Sequence, residues 1–351
     1  STVLAVTLTI FGLLTSSYLM QMMNTPHNIF DAGDIYLKIY IGGMVFLFCY
    51  NVATGIFTAL GDSKTPLYFL IGSSVGNVVL DYLFVAVFHF GVSGVGWATF
   101  LAQGIAGILA VITLLRRVAK LPTGHGKVML YSKSMLRRIA KIAVPSILQQ
   151  SFVSVGNIFI QSLVNSFGSA VIAGYSAAIK LNTFTITSFS TLGNALSSFS
   201  AQNIGAAKID RVRKGFRAGT MLAWIIAVPF FVLFFFFGNE MLGIFMENPT
   251  GGAMKAGMAF LKIVSPFYFI ISLKLLADGL LRGSSAMIGF MVSTFTDLIL
   301  RVILAYVFAG LFGSTGIWMS WPVGWSISAI ISLLFYRYTW KQLSVERRLI
   351  K

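Results

Sequence analysis

The stretch FTALGDSKTP at residues 57–66 places a glycine turn between two long apolar runs, and LLRGSSAM at 280–287 places a similar turn much later in the chain. An apolar run of about 20 residues is long enough to cross about 30 Å of hydrocarbon as a helix. A corner that occurs twice between such runs predicts a bundle of membrane helices that has been duplicated.

The composition agrees with a membrane protein. Of the 351 residues, 57% are hydrophobic and 10% are charged, and the mean hydropathy is +0.85. Such a chain lacks the polar surface that a soluble globule of this size needs. The sequence therefore predicts an all-α integral membrane protein.

Ten apolar runs are long enough to span a bilayer. They lie at about 2–23, 35–58, 67–88, 93–115, 142–164, 170–195, 217–237, 257–280, 287–311 and 315–336.

The distribution of cations predicts the orientation. The chain has 26 Lys and Arg against 10 Asp and Glu, and one set of alternate loops holds nearly all the loop cations, whereas the other set holds Lys255. Cytoplasmic loops carry the excess of Lys and Arg. We therefore expect a multi-pass protein of the cell (inner, cytoplasmic) membrane, with a cytoplasmic C-terminus and basic loops that contact anionic lipid rather than nucleic acid.

Thiolate and histidine chemistry are not expected. Cys49 is the single cysteine, so an intrachain disulfide or a cluster of thiolates is excluded. His27, His89 and His125 fall in or beside predicted loops. We expect no metal site, no cofactor and no enzymatic activity, because the spans hold no nucleophilic constellation.

Further matches between the two halves support the duplication. YLKIY (36–40) aligns with FLKIV (260–264), and ALG (59–61) aligns with LRG (281–283). Both copies begin on the predicted cytoplasmic side, so the duplication is parallel. It predicts an N-lobe of four helices at 1–118, a cytoplasmic loop at 119–137, a C-lobe of six helices at 138–340 and a cytoplasmic tail at 341–351.

The two helices that open the C-lobe have no counterpart ahead of the first copy. We therefore expect two more helices upstream of Ser1 in a symmetric protein. Two bundles joined by a long loop favour alternating access over a static scaffold or channel.

Polar residues inside the spans are the candidate site, because charge in hydrocarbon is costly and is usually kept for function. The candidates for a substrate or ion cavity are Asn77, Asp81, Gln149, Gln150, Asn157, Gln161, Lys180, Lys274, Asp278, Asp297 and Arg301.

Spacing leaves alternatives open for several of them. Lys274 and Asp278, and likewise Asp297 and Arg301, are four apart and can form local ion pairs. Asp81 has no local cation, so it binds an ion or pairs across the bundle. Lys180, near mid-span, either snorkels or meets a carboxylate of another helix. The polar stripe that starts at Gln149 faces a wet cavity or makes interhelical hydrogen bonds.

Several stretches resemble the multidrug and toxic compound extrusion (MATE) family. They are GIFTALGDSKTPLYFLIGSSVGNVVLDYLFV (55–85), AVPSILQQS (143–151), SSFSAQNIGAAKIDRVRKG (197–215) and the LRG corner (281–283) followed by Arg301. The QNIGA segment (202–206) within the third stretch is expected to be a tight corner that a glycine permits.

The resemblance extends from the family's third helix to its twelfth, so ten of twelve helices are expected here. It implies two six-helix lobes that export amphipathic, often cationic, drugs or toxins by Na⁺ or H⁺ antiport. Family members often carry a Glu where this chain has Gln149 and Gln150, and an Asp where it has Ile271. The resemblance therefore does not assign the coupling ion. A monomer is expected.

Other functions remain as alternatives. A flippase for a lipid-linked precursor, from the same superfamily, would favour a cavity rich in Arg and Lys. A ten-helix remnant without activity is a further possibility.

Overall fold

The computed structural model describes residues 2–22, 27–120, 132–246 and 251–350, and their fold is helical. Thirteen α-helices follow one another: α1 Thr2–Met22, α2 His27–Gly42, α3 Met44–Ala59, α4 Lys64–Tyr82, α5 Gly91–Val118, α6 Lys133–Asn165, α7 Ser169–Gly205, α8 Ile209–Phe236, α9 Gly238–Gly243, α10 Gly251–Val264, α11 Tyr268–Gly283, α12 Met287–Phe312 and α13 Ser314–Ile350. A π-helical turn, Leu83–Val87, extends α4, and a 3₁₀ turn, Ser265–Phe267, joins α10 to α11.

Nine helical segments within the described ranges are long and apolar enough to cross a membrane, and they correspond to nine of the ten predicted spans. The predicted span 170–195 is also helical and lies within α7, which is 37 residues long. It is not among the nine because its sequence is rich in Ser, Thr and Asn. These polar residues turn out to line a cavity.

The chain divides into two compact units, Ser1–Val128 and Met129–Lys351, called here the first unit and the second unit. The division falls inside the predicted loop 119–137. That loop is shorter than predicted, because α6 begins at Lys133 and so carries Arg137 and Arg138 on a helix. Ser132 caps this helix by accepting a hydrogen bond from the Met135 N–H.

In the first unit, α5 packs against α2, α3 and α4. The buried face of α5 is rich in Gly and Ala, which allows the backbones to approach closely. At Gly107, an added Cβ would lie 2.7 Å from the Phe46 carbonyl oxygen. The side chains of Ala53, Phe57 and Leu114 form the buried core nearby.

The corner between α3 and α4 is tied to the end of α5 by Asp62. The Asp62 carboxylate accepts hydrogen bonds from the Thr65 N–H (3.1 Å) and hydroxyl (2.8 Å), and it pairs with Arg117 at 3.1 Å. The Thr65 hydrogen bonds, backbone first, and then the Arg117 charge lower the pKa of Asp62, because each favours the ionised carboxylate. The carboxylate therefore stabilises this corner in its charged form.

In the second unit, α7 packs against α10 and α11, and α12 packs along α13. Glycines make the first contact possible: an added Cβ at Gly279 would lie 2.1 Å from the Gly193 carbonyl oxygen. An aromatic cluster fills the core, in which Tyr175 stacks on Trp318 with ring centroids 5.1 Å apart and Phe260 meets Trp318 edge-on. The helices that carry the polar candidates are thus held in fixed register.

Two predicted spans are interrupted at matching points. The span 35–58 breaks between α2 and α3 at Gly42 and Gly43, and the span 257–280 breaks at the 3₁₀ turn that contains Pro266. Pro266, which cannot donate a backbone hydrogen bond, lies within the second break. Both breaks directly follow the aligned segments YLKIY and FLKIV, as a duplicated unit requires.

Three corners between helices close with the same backbone hydrogen bonds. In each, the N–H of a left-handed residue bonds to the carbonyl three residues earlier, and the next N–H bonds to the carbonyl five residues before it. The left-handed residues are Gly61 (φ +82°), Ala207 (φ +56°) and Ser285 (φ +60°).

These corners correct the predicted register and the predicted role of glycine. Gly61 is geometrically equivalent to Ser285 rather than to Gly283, which shifts the alignment of ALG with LRG by two residues. Gly283 instead lets α11 approach α7, since an added Cβ would lie 2.3 Å from the Ser197 carbonyl oxygen. In the QNIGA corner the left-handed residue is Ala207, and Gly205 faces open space.

Candidate functional site

The second unit contains a cavity of about 570 Å³. Five helices line it: α6, α7, α11, α12 and α13. This volume lies in the range of pockets that hold drug-sized ligands, about 300–1,000 Å³.

One face of α6 forms the first wall. Gln149, Asn157 and Gln161 follow one another at helical spacing and line the cavity together with Gln150. Gln150 and Asn157 are exposed, so this wall lies on an open side of the cavity. The structure thus places the predicted polar stripe on a cavity wall. Gln161 also donates a hydrogen bond of 2.8 Å to Asn165 one turn along.

The second wall is α7, which sequence reasoning missed. Thr183, Thr187, Ser190, Thr191 and Asn194 recur every three or four residues and line the cavity. The signal was the density of small polar residues on one face of an otherwise apolar helix. Without charge, these residues did not attract attention in the sequence.

Asn182 is buried deeper on the same helix. It lines the cavity and accepts a hydrogen bond of 3.2 Å from the Tyr268 hydroxyl. This bond fixes the orientation of both side chains at the inner end of the polar wall.

Lys274 and Asp278 on α11 form the local ion pair that their spacing allows. The Lys274 Nζ lies 2.8 Å from the Asp278 Oδ2, and the two side chains are 4% and 3% exposed. Ser332 on α13 donates a 2.6 Å hydrogen bond to the other carboxylate oxygen. Lys274 lines the main cavity, and Asp278 lines a smaller adjoining pocket of about 190 Å³ that Arg282 also borders.

Asp297 and Arg301 on α12 line the cavity but do not form the local ion pair that was considered for them. In the described part of the chain, Asp297 Oδ1 and Arg301 Nε have no hydrogen-bond partner. The two side chains diverge along α13. An added Cβ at Gly324 would lie 2.8 Å from Asp297 Oδ1, and the Arg301 guanidinium carbon lies 4.5 Å from the centre of the Trp321 ring.

The α12 and α13 wall holds a group of polar atoms without protein partners. Among the described residues, Thr294 Oγ1, Asp297 Oδ1, Arg301 Nε and Trp321 Nε1 are buried and make no hydrogen bond. All four residues line the cavity and are at most 6% exposed. Buried polar groups normally have partners, so the packing of these helices does not by itself explain why this wall holds four such groups.

The first unit contains a separate pocket of about 220 Å³ that includes Asn77. The Asn77 amide lies 3.5 Å from the Thr99 hydroxyl. Asp81, one turn further on α4, does not line this pocket, and its Oδ1 is buried without a hydrogen-bond partner among the described residues. The structure places these two candidates in a different unit from the other nine.

Lys180 does not belong to the cavity. Its side chain is exposed and lies 5.8 Å from the centre of the Phe245 ring, a cation–π contact. Among the described residues Lys180 forms no ion pair with a carboxylate, so of the two alternatives considered for it the structure favours the one in which it snorkels.

No group of three or more His, Cys, Asp or Glu side chains among the described residues could hold a metal ion.

Comparisons with known proteins give this architecture a family. The MatE family model matches residues 1–83 and 145–307. The chain belongs to the MatE family. It is 30% identical over 339 residues to the probable multidrug resistance protein YpnP of Bacillus subtilis (strain 168). The aligned residues cover 95% of this chain and 74% of YpnP. The probable multidrug resistance protein YoeA of the same organism is 27% identical over 355 residues, 98% of this chain and 76% of its own length.

Solved MATE structures share the fold. A MATE protein in the bent conformation matches with a TM-score of 0.88 at 20% identity, over 99% of this chain and 77% of that one. An outward-facing multidrug resistance MATE transporter matches with the same TM-score at 20% identity, over 97% and 77%. These matches confirm the prediction of a helical MATE-type membrane protein, and family membership confirms a transporter rather than an enzyme.

Proposed function

We propose that this MatE protein exports small amphipathic compounds, many of them cationic, and that the cavity of the second unit binds them. The observation that carries the proposal is the polar face of α7 opposite the charged wall of α12, around about 570 Å³. Small hydroxyls and amides make many weak, interchangeable hydrogen bonds, which suits a site that accepts many ligands. The relatives YpnP and YoeA are both named as probable multidrug resistance proteins, which supports the same substrate class.

We further propose that export is coupled to entry of Na⁺ or H⁺ by alternating access of the two units. Asp297 is the candidate that fits best, because its carboxylate lines the cavity and its Oδ1 has no partner among the described residues. Binding a proton or a cation there would neutralise a charge that is costly to bury. Asp81 is the corresponding candidate in the first unit.

The proposed function also includes the location, orientation and oligomeric state of the protein. The protein would lie in the cell membrane as a monomer, with its C-terminus in the cytoplasm, and it would contact lipid but not nucleic acid. The clustering of cations in alternate loops supports this orientation. The lipid flippase has less support, because Lys274, one of the two cations on the cavity wall, is neutralised by Asp278.

The test is ethidium efflux from drug-sensitive bacteria that express the protein, under an imposed gradient of Na⁺ or of H⁺. We expect one gradient to drive efflux, and Asp297→Asn to abolish most of that dependence. Glu240→Gln is the matched control, because Glu240 is an exposed carboxylate on α9.

Loss of coupling in Asp81→Asn, with coupling intact in Asp297→Asn, would place the ion site in the first unit. Membrane-inserted protein that exports no dye under either gradient would contradict the proposed function.

A further inference from the structure

The charged wall of the cavity offers more hydrogen-bond donors than acceptors. Arg301 contributes a guanidinium, and Lys274 contributes an ammonium that Asp278 already neutralises. Asp297 is the one carboxylate among the cavity-lining side chains of the described residues. A site that binds only cations would offer more hydrogen-bond acceptors than donors.

Arg301 is the group whose arrangement is least explained by packing. It is 6% exposed, its Nε has no partner among the described residues, and no carboxylate pairs with it there. Leaving a buried charge without hydrogen bonds is costly, so such a residue is usually retained for a ligand.

Trp321 holds the guanidinium in a fixed position. The ring lies 4.5 Å from the guanidinium carbon, a distance at which the face of the indole attracts a cation. An arginine stacked in this way keeps the N–H groups along its edge free for a planar anion.

We propose that Arg301 and Trp321 form a subsite for an anionic group, with a carboxylate as the chemistry that fits best. A carboxylate accepts two parallel hydrogen bonds from a guanidinium, and this geometry adds specificity to the charge. The favoured substrates are then zwitterionic amphipaths, whose carboxylate binds Arg301 while the remaining scaffold lies along the neutral wall of α6 and α7.

This inference rests on the proposed function and narrows its substrate class. It predicts that a compound with both a cationic ring system and a carboxylate is bound more tightly than its ester. An ester keeps the cation and the shape but lacks the anion.

Tetramethylrhodamine and its methyl ester are a suitable pair, because they differ in the carboxylate and share the cationic ring system. Binding to the purified protein is measured by fluorescence polarisation, and export is measured in the same cells as ethidium efflux. We expect the acid to bind roughly tenfold or more tighter than the ester, since hydrogen bonds between charged partners are the strong ones.

Arg301→Gln should weaken binding of the acid by roughly ten- to a hundredfold and leave binding of the ester within about twofold. Lys180→Gln, which removes an exposed cation outside the cavity, is the control and should change neither dye. If Arg301→Gln does not fold, Trp321→Phe keeps an aromatic ring but reduces the face on which the guanidinium stacks, and it should weaken binding of the acid selectively by a few-fold.

The outcomes separate the two proposals. If the cells export the ester and ethidium but the acid binds no more tightly than the ester, the anionic subsite is overturned and drug export stands. The same conclusion follows if Arg301→Gln weakens binding of the acid and of the ester equally. Folded protein that neither binds nor exports any of the three dyes would overturn drug export and the subsite together.

Discussion

Breaking the ion pair between Lys274 and Asp278 should destabilise the second unit strongly. The two side chains are 4% and 3% exposed and their charged atoms are 2.8 Å apart. Removing one partner leaves the other charge buried without compensation, which costs about 3–5 kcal/mol. In Asp278→Ala, Lys274 keeps its charge in the core, and in Lys274→Met the Asp278 carboxylate keeps one hydrogen bond, from Ser332.

The effect can be read as a shift in Tm. For a unit of this size, 1 kcal/mol corresponds to about 2–4 °C, so each single variant should lose roughly 6–20 °C. The double variant Lys274→Met with Asp278→Leu should recover most of this loss, because apolar side chains of similar volume replace a buried pair at little cost. The assay is thermal unfolding in detergent, followed by fluorescence of the six tryptophans.

The pair between Asp34 and Lys38 is the matched control. It has the same spacing on a helix and a distance of 2.6 Å, but the Lys38 side chain is 45% exposed. Lys38→Met should therefore cost about 0–1 kcal/mol. A loss of Tm in Lys274→Met no larger than that in Lys38→Met would refute this account of the ion pair. So would a double variant whose Tm is no higher than that of the less stable of the two single variants.

Two further predictions concern packing and pH. Gly279→Ala should sharply reduce the yield of folded protein, because the added Cβ would lie 2.1 Å from the Gly193 carbonyl oxygen. The control is Gly76→Ala, at a helical glycine in open space, which should leave Tm unchanged or raise it. Equal yields of the two variants would contradict this packing. Asp62→Asn should lower Tm at pH 7. The folded-state pKa of Asp62 lies below the ordinary value of 3.8 for an aspartate. The stabilisation by its carboxylate is therefore present above that pH and is lost as the pH falls through the folded-state pKa, so the difference in Tm between wild type and Asp62→Asn should shrink in acid.

The spans and corners could be predicted because they depend on local sequence. The apolar runs in the sequence predicted the nine described helical segments that are long and apolar enough to cross a membrane, and the repeated corner predicted the duplication. The register of that corner was wrong by two residues because glycine is not the sole residue that adopts the left-handed conformation; Ser285 does so here.

The cavity could be predicted in part. The stripe on α6 was visible because amide side chains recur at helical spacing. The wall on α7 was missed because hydroxyl side chains can also satisfy themselves locally, as Thr191 does by donating to the Thr187 carbonyl. Which face of α7 turns inward depends on Gly193 packing against α11, a tertiary contact that the sequence does not show.

Ion pairing could not be decided from spacing. Lys274–Asp278 and Asp297–Arg301 have the same separation on a helix, yet the first pair forms and the second does not. The difference comes from neighbouring helices: Ser332 on α13 supports the Asp278 carboxylate, whereas Trp321 on the same helix holds the Arg301 guanidinium. Pairing inside a bundle therefore depends on what faces each side chain.

Protection of a cysteine inside the cavity tests most directly whether exported compounds bind there. In a Cys49→Ala background, Thr187→Cys places a thiol on the polar wall of α7, and Lys208→Cys places one at the exposed corner that follows it. We expect a saturating dye of measured export to slow the reaction of Thr187→Cys with a water-soluble maleimide several-fold and to leave Lys208→Cys unchanged. Equal rates with and without the dye at Thr187→Cys would contradict the assignment of this cavity as the binding site.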